Sequence, residues 1–204
     1  MIEQGTDEWF LSRLGKVTAS RVSDVMAKTK TGYGAGRKNY MMELLCQRLT
    51  GTREEGFTNA AMQRGTDLEP MARGRYEIEN DVLVMETGLV DHAAVPNFAA
   101  SPDGLVGDDG LLEIKCPNTA QHVEFLRTGK IPPKYQSQMT AQMLCTGRKW
   151  CDFVTFDDRL PESLQYKCER FELDEKTGKE MITAVSTFLT ELDALVIELK
   201  EQAA

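Results

Sequence analysis

The sequence has no C-x-x-C pair. Its five cysteines, Cys46, Cys116, Cys145, Cys151 and Cys168, are odd in number and widely spaced. That pattern disfavours a disulfide framework and a zinc site, and reduced, mostly buried thiols are the default reading. An iron–sulfur centre would require folding to gather four of them. Histidine is also scarce, and His92 has no ligand-spaced partner, so it reads as structural or exposed. No apolar run approaches membrane-spanning length, and the start, M-I-E-Q-G-T-D-E-W, lacks the basic and apolar regions of a signal peptide. The expectation is a cytoplasmic protein with no membrane partner. A basic excess is missing too: 24 Lys and Arg stand against 32 Asp and Glu, for a net charge of −8. This argues against nonspecific coating of nucleic acid, which rests on phosphate neutralisation, but leaves room for a small basic channel inside an acidic exterior.

Repeats, low-complexity tails and linkers are absent as well. What is present, 204 residues with 41% hydrophobic and 27% charged, fits one globular domain over 1–204 with a sizeable core. Thr6 or Asp7 can cap a short helix through Leu14, ended by Gly15, and Thr18 or Ser20 can cap a second with Val22, Val25 and Met26 inward. The basic, glycine-rich stretch 29–38 reads as a mobile loop and lacks the G-K-[ST] ending of a P-loop. A helix over 39–49 would place Met42, Leu45, Cys46 and Leu49 on one side.

The segment 59–81 is largely helical in pattern, although T-D-L-E at 66–69 also fits a capping box in which Glu69 bonds the Thr66 backbone. Apolar pieces in 82–95 suggest strands. Helices follow at 119–127 and 133–145, with strands at 150–156 and 164–173. Asp174 can cap a long helix through Gln202 with Met181, Val185, Phe188, Leu189, Leu192, Leu195, Val196 and Leu199 as its stripe. Strands flanked by helices imply a mixed α/β fold.

The most informative stretch is 100–117, A-S-P-D-G-L-V-G-D-D-G-L-L-E-I-K-C-P. Short apolar runs at 98–100 and 111–115, joined by the turn 107–110, read as a hairpin. Alternation along a strand puts Glu113 and Lys115 on one face and Leu112 and Ile114 on the other. With Asp103 at the end of the neighbouring strand, two carboxylates and an ammonium converge. Such a set suits phosphodiester hydrolysis: Asp103, Glu113 and the Ile114 carbonyl offer hard oxygen ligands for one or two Mg²⁺, and Lys115 can orient water. An exposed Glu–Lys strand pair beside an ordinary Asp-Gly turn explains the same spacing.

S-P-D-G followed by L-E-I-K-C-P resembles the PD-(D/E)-x-K nucleases, and specifically the phage lambda exonuclease and YqaJ viral recombinase family. W-F-L-S-R-L-G-K-V-T-A-S-R at 9–21 and the Y-x-x-Q element at 135–138 extend the resemblance over nearly the whole chain. It implies a restriction-endonuclease-like core, a central mixed β-sheet flanked by helices. It also implies a Mg²⁺-dependent 5′-to-3′ exonuclease on linear double-stranded DNA, with two ions per active site and Mn²⁺ as a substitute. Such an enzyme releases 5′-mononucleotides and leaves a 3′ tail.

By residue, the resemblance adds Glu69 and Gln138 to the catalytic set, assigns Arg13, Ser20 and Ser101 to the terminal 5′-phosphate, and places Met62 against the duplex end as a wedge. Similar enzymes form ring-shaped homotrimers around DNA and work beside a single-strand-annealing protein in phage recombination. One position departs from the pattern: a basic residue is expected soon after K-C-P, and Gln121 stands there. His122, Arg127 or Lys130 are the candidates to compensate. An endonuclease of the same superfamily, or an end-binding recombination scaffold without catalysis, are the alternatives.

Overall fold

The structure is a computed structural model that describes residues 4–30, 32–53 and 59–202. Residues 1–3 of the expected start and Thr31 of the expected loop lie outside the described residues. The order of elements is α1 (Asp7–Ser12), β1 (Val17–Thr18), a 3₁₀ turn (Ala19–Arg21), α2 (Val22–Met26), β2 (Lys28–Thr29), β3 (Gly32–Tyr33), α3 (Ala35–Thr50) and α4 (Ala60–Asn80). The chain continues through β4 (Val84–Met85), β5 (Val90–Asp91), β6 (Phe98–Ala100), β7 (Gly104–Val106), β8 (Gly110–Lys115), α5 (Thr119–Thr128) and α6 (Pro133–Thr146). It closes with β9 (Trp150–Phe156), a second 3₁₀ turn (Glu162–Leu164), β10 (Tyr166–Glu172) and α7 (Glu175–Gln202).

The main sheet has the order β10-β9-β8-β7-β4 and is antiparallel except where β8 pairs with β9. That parallel pair is joined through α5 and α6, as a crossover requires. A smaller sheet has the order β1-β6-β5, and β2 with β3 forms a separate ribbon. The fold is therefore mixed α/β, with mixed sheets flanked by helices.

Alternation along β8 divides the core. Leu112 and Ile114 pack with Leu68, Ala72 and Tyr76 of α4, whereas Leu111 joins Phe125 of α5, Met139 and Met143 of α6, and Phe153 of β9. Helix α6 also sends Ala141 and Cys145 into a third cluster with Val22, Tyr40, Leu44, Phe98, Val185 and Phe188. It is thus shared between two cores. Close approach fixes one end of β8: a Cβ on Gly110 would lie 2.1 Å from the Trp150 ring, its partner across the parallel ladder.

Several sequence expectations change. The partner of β8 in the hairpin is β7, not 98–100, which belongs to the smaller sheet as β6. Ser101-Pro102 lies between them, and proline carries no N–H for a ladder. The basic stretch 29–38 is partly β2, β3 and the first turn of α3, which begins four residues before the expected Asn39. The buried side of α3 is Tyr40, Met41, Leu44 and Leu45, while Met42, Cys46 and Leu49 are exposed. Tyr40 decides this, because its ring stacks on Phe188 and its hydroxyl accepts the Thr18 N–H at 3.2 Å. Finally, Thr66 is no N-cap. Helix α4 starts at Asn59, whose side chain accepts from Met62 N–H, and the Thr66 hydroxyl bonds the Met62 carbonyl.

Candidate active site

Asp103 precedes β7, and its Oδ2 accepts the Ile114 N–H at 2.7 Å, pinning the carboxylate across the hairpin. Glu113 projects from the face of β8 that meets α6 and is 0% exposed. A buried carboxylate needs its lone pairs engaged. Gln138 Nε2 donates to its Oε1 at 2.6 Å, Gln142 Nε2 donates to its Oε2 at 2.6 Å, and Lys115 Nζ forms an ion pair with Oε1. The expectation of a shared Glu–Lys face holds. An exposed strand pair does not, since Glu113 lies wholly inside.

The charges perturb one another. Loss of water pushes the Asp103 carboxyl well up; Glu113 and Glu69 push it further, against Lys115 and the Ile114 N–H. Burial pulls Lys115 down, but the carboxylates of Glu113 and Asp103 outweigh it and hold the ammonium above its ordinary range. Glu69, on α4, is raised by burial against the pull of Lys115 and Arg73. Its carboxylate lies 3.7 Å from Arg73, on the helix whose Leu68 and Ala72 pack against Leu112 and Ile114 of β8.

Among the described residues, no group of three or more His, Cys, Asp or Glu side chains is gathered as a metal-binding set. Mg²⁺, however, is commonly held by one or two carboxylates and keeps several waters. Asp103, Glu113 and the Ile114 carbonyl are hard oxygen donors of that kind. Burial raises Asp103 most and repulsion from Glu113 and Glu69 adds to it; a divalent cation relieves that repulsion, so these residues fit one.

A second cluster joins α1 to the Ser-Pro-Asp turn. The Arg13 guanidinium lies 4.0 Å from the centre of the Trp9 ring, and the indole N–H donates to Ser101 Oγ at 3.0 Å. Gln4 Nε2 donates to the Pro102 carbonyl at 2.9 Å, tying the same turn from outside. Arg13 is half-buried and has no ion-pair partner among the described residues. Ser20 is exposed on the turn after β1, its hydroxyl 3.5 Å from that of Thr18. Met62 stands in the first turn of α4, 55% exposed.

Of the residues considered to compensate for Gln121, His122 is excluded. It is buried, with Nδ1 2.9 Å from Thr155 Oγ1 and Nε2 2.8 Å from the Leu164 carbonyl. Arg127 pairs with Glu124 on the surface, and Lys130 is exposed beyond the end of α5. His92 is structural: its Nδ1 accepts the Ala94 and Val95 N–H groups and its ring stacks on Phe98.

Sequence reading missed three features. Gln142 lies one helical turn beyond Gln138, and that spacing was the available signal. Trp9 stands four residues before Arg13 on α1, the same signal again. The third is buried Asp157 after β9, which accepts from Arg159 Nε at 2.7 Å and lies 3.0 Å from Arg64 Nη2 of α4, while Arg159 also reaches the Pro117 carbonyl at 3.3 Å. This network ties α4 to the exit of the motif strand, and no local pattern announces it.

The YqaJ-like viral recombinase domain matches residues 8–149. Among solved structures, the alkaline exonuclease LHK-Exo from Laribacter hongkongensis is 60% identical, with a TM-score of 0.91 over 97% of this chain and 98% of that one. The same protein in complex with dAMP gives the same values. A phage-related exonuclease from Haemophilus somnus 129PT, 16% identical over 90% of this chain and 96% of its own, has a TM-score of 0.71 and supports the fold alone. No curated protein matches.

Proposed function

The chain belongs to the YqaJ-like viral recombinase domain family, and on that premise we propose that it is a Mg²⁺-dependent exonuclease acting on linear double-stranded DNA. It degrades one strand 5′ to 3′, releases 5′-mononucleotides and leaves a 3′ single-stranded tail for recombination by strand annealing. The observation that carries this reading is the wholly buried Glu113, held by Gln138, Gln142 and Lys115 beside Asp103. The exonuclease activity of the 60%-identical relative supports it.

Asp103, Glu113 and the Ile114 carbonyl would hold the metal, two ions per site with Mn²⁺ as a substitute. When bound, the divalent cation stabilises charge on the attacking and leaving oxygens. Lys115 orients the attacking water and keeps positive charge beside the scissile phosphate. Gln138, whose amide both donates and accepts, positions water or backbone once it leaves Glu113, and Glu69 completes the rim.

Arg13, Ser20 and Ser101 receive the terminal 5′-phosphate. A guanidinium held over the Trp9 ring offers its N–H groups to phosphate oxygens, and this end-recognition sets the polarity. Met62 wedges against the terminal base pair; unstacking costs roughly a few kcal/mol, offset by phosphate contacts. The enzyme works in the cytoplasm as a ring-shaped homotrimer around DNA, beside a single-strand-annealing protein. Among the described residues no helix is long and apolar enough to cross a membrane.

The test is a time course with Mg²⁺ on linear duplex carrying 5′-phosphate or 5′-hydroxyl ends, with circular duplex as control. Loss of 5′ label as mononucleotide, with circles untouched, is expected. Nicked circles would convert the reading to an endonuclease, and binding without cleavage to a scaffold. Sedimentation showing only monomer would remove the ring.

A further inference from the structure

Glu113 receives its partners unequally. Those at Oε1, Gln138 and Lys115, are both partly open to solvent, whereas the partner at Oε2, Gln142, is 0% exposed. One oxygen therefore looks outward and the other into the protein. The orientation of the Gln142 amide follows from chemistry: reversed, its carbonyl oxygen would stand 2.6 Å from a carboxylate oxygen, acceptor against acceptor. In the orientation present, Gln142 Oε1 is buried with no hydrogen-bond partner among the described residues. A side chain chosen only to fill this space would not strand an acceptor there. The amide is explained by what its other end does.

We infer that Gln142 is a positioning residue that keeps the inner oxygen of Glu113 fixed, so that only the outer oxygen exchanges partners when a divalent cation arrives. This rests on the nuclease reading of the site. Two glutamines one turn apart on α6 then divide the work. Gln138 and Lys115 cap Oε1 and would turn to water and phosphate once that oxygen held a cation. Gln142 stays. Without it, Glu113 can rotate about its terminal torsion or draw its outer partners inward, and the aim of the metal-facing oxygen is lost.

The test uses the full chain, with Mg²⁺ titrated calorimetrically in the absence of DNA and turnover measured separately. Q142M, similar in size but without the donor, should bind Mg²⁺ about tenfold more weakly, as loss of a hydrogen-bond partner that orients a metal ligand does. It should lower kcat with KM for DNA ends unchanged. Q138M should leave Mg²⁺ affinity near that of wild type while lowering kcat. Wild-type affinity in Q142M overturns the inference. A wild-type chain that takes up no Mg²⁺ overturns the nuclease reading and the inference with it, so the two failures are distinguishable.

A purely structural role is tested by melting without metal. Q142M should destabilise the native chain and have little effect in an E113Q background, where the buried charge is gone. If Q142M fails to fold alone but folds with E113Q, the pairing is supported. Equal loss in both backgrounds makes Gln142 a packing residue and overturns the inference.

Discussion

The carboxylate centre and the Arg13 cluster lie at the two ends of the same Ser-Pro-Asp turn, and they handle charge in opposite ways. At the centre, the charges are held in place by internal partners: Glu113 by two amides and an ammonium, Asp103 by a backbone N–H. At the cluster, a half-buried guanidinium rests on an indole face with no carboxylate partner among the described residues. The first region must release internal partners before it can act. The second offers an unmatched positive charge to an incoming anion. A site that binds one end of a substrate and cleaves next to it needs both, because recognition wants a standing deficit of charge and catalysis wants charges held in place.

Separating the two regions is the strongest test of that contrast. K115A should lower turnover by at least about 100-fold, the scale of losing a group that positions or activates the nucleophile, while the preference for 5′-phosphorylated ends in a binding assay persists. Near-normal turnover in this variant would remove Lys115 from the chemistry. Removing divalent cation with EDTA should act on the same side: cleavage stops, and discrimination between 5′-phosphate and 5′-hydroxyl ends in binding survives. If discrimination vanishes with the cation, the two regions are one site.

R13A should do the reverse. Loss of charge-assisted hydrogen bonds worth roughly 1.5–3 kcal/mol should raise KM for phosphorylated ends by about 10- to 100-fold and leave hydroxyl ends unaffected. An equal effect on both kinds of end would place Arg13 outside phosphate recognition. W9F, which retains a ring under Arg13 but loses the N–H to Ser101 Oγ, should give a smaller shift in the same direction.

The smallest expected effect concerns the tie between α4 and the motif strand. Burial pushes Asp157 up, but hydrogen bonds from Arg159 and Thr119 outweigh it and hold the carboxyl below its usual range. Its folded value therefore lies below the unfolded value of about 3.9. The stability it contributes is present above that pH and lost as pH falls through the folded value. The gap between the melting temperatures of wild type and D157N should begin to narrow as pH falls below about 4 and go on closing toward the folded value; a constant gap would mean the Asp157 charge is not what matters.

Much of this was legible in the chain, for reasons that differ by residue. Strand β9 and helices α5 to α7 follow from periodicity and caps, as at Asp174, whose Oδ2 accepts the Thr177 N–H at 2.7 Å. The shared face of Glu113 and Lys115 follows from strand alternation. Depth does not: alternation tells which side a residue takes, and only α6 packing against that side puts Glu113 out of reach of water. Gln142 drew no role for the same reason, since a polar side chain on a helix declares itself buried only when its partner is known. The misreading of α3 came from counting Met, Leu and Cys as the apolar side, while Tyr40 and Leu44 took the core with their neighbours. Asp157 and Arg64, 93 positions apart, left no trace in any local window.

Helix α6 carries Gln138 and Gln142 and at the same time packs into two separate cores, through Met139 and Met143 on one side and Ala141 and Cys145 on the other. A helix held from both sides has no cheap local route to opening, because detaching it empties both clusters at once. Its amide hydrogens should therefore exchange with solvent only when the whole molecule opens, more slowly than those of α1 or the β2-β3 ribbon. The lifetime of the assembled active site is then the lifetime of the fold itself.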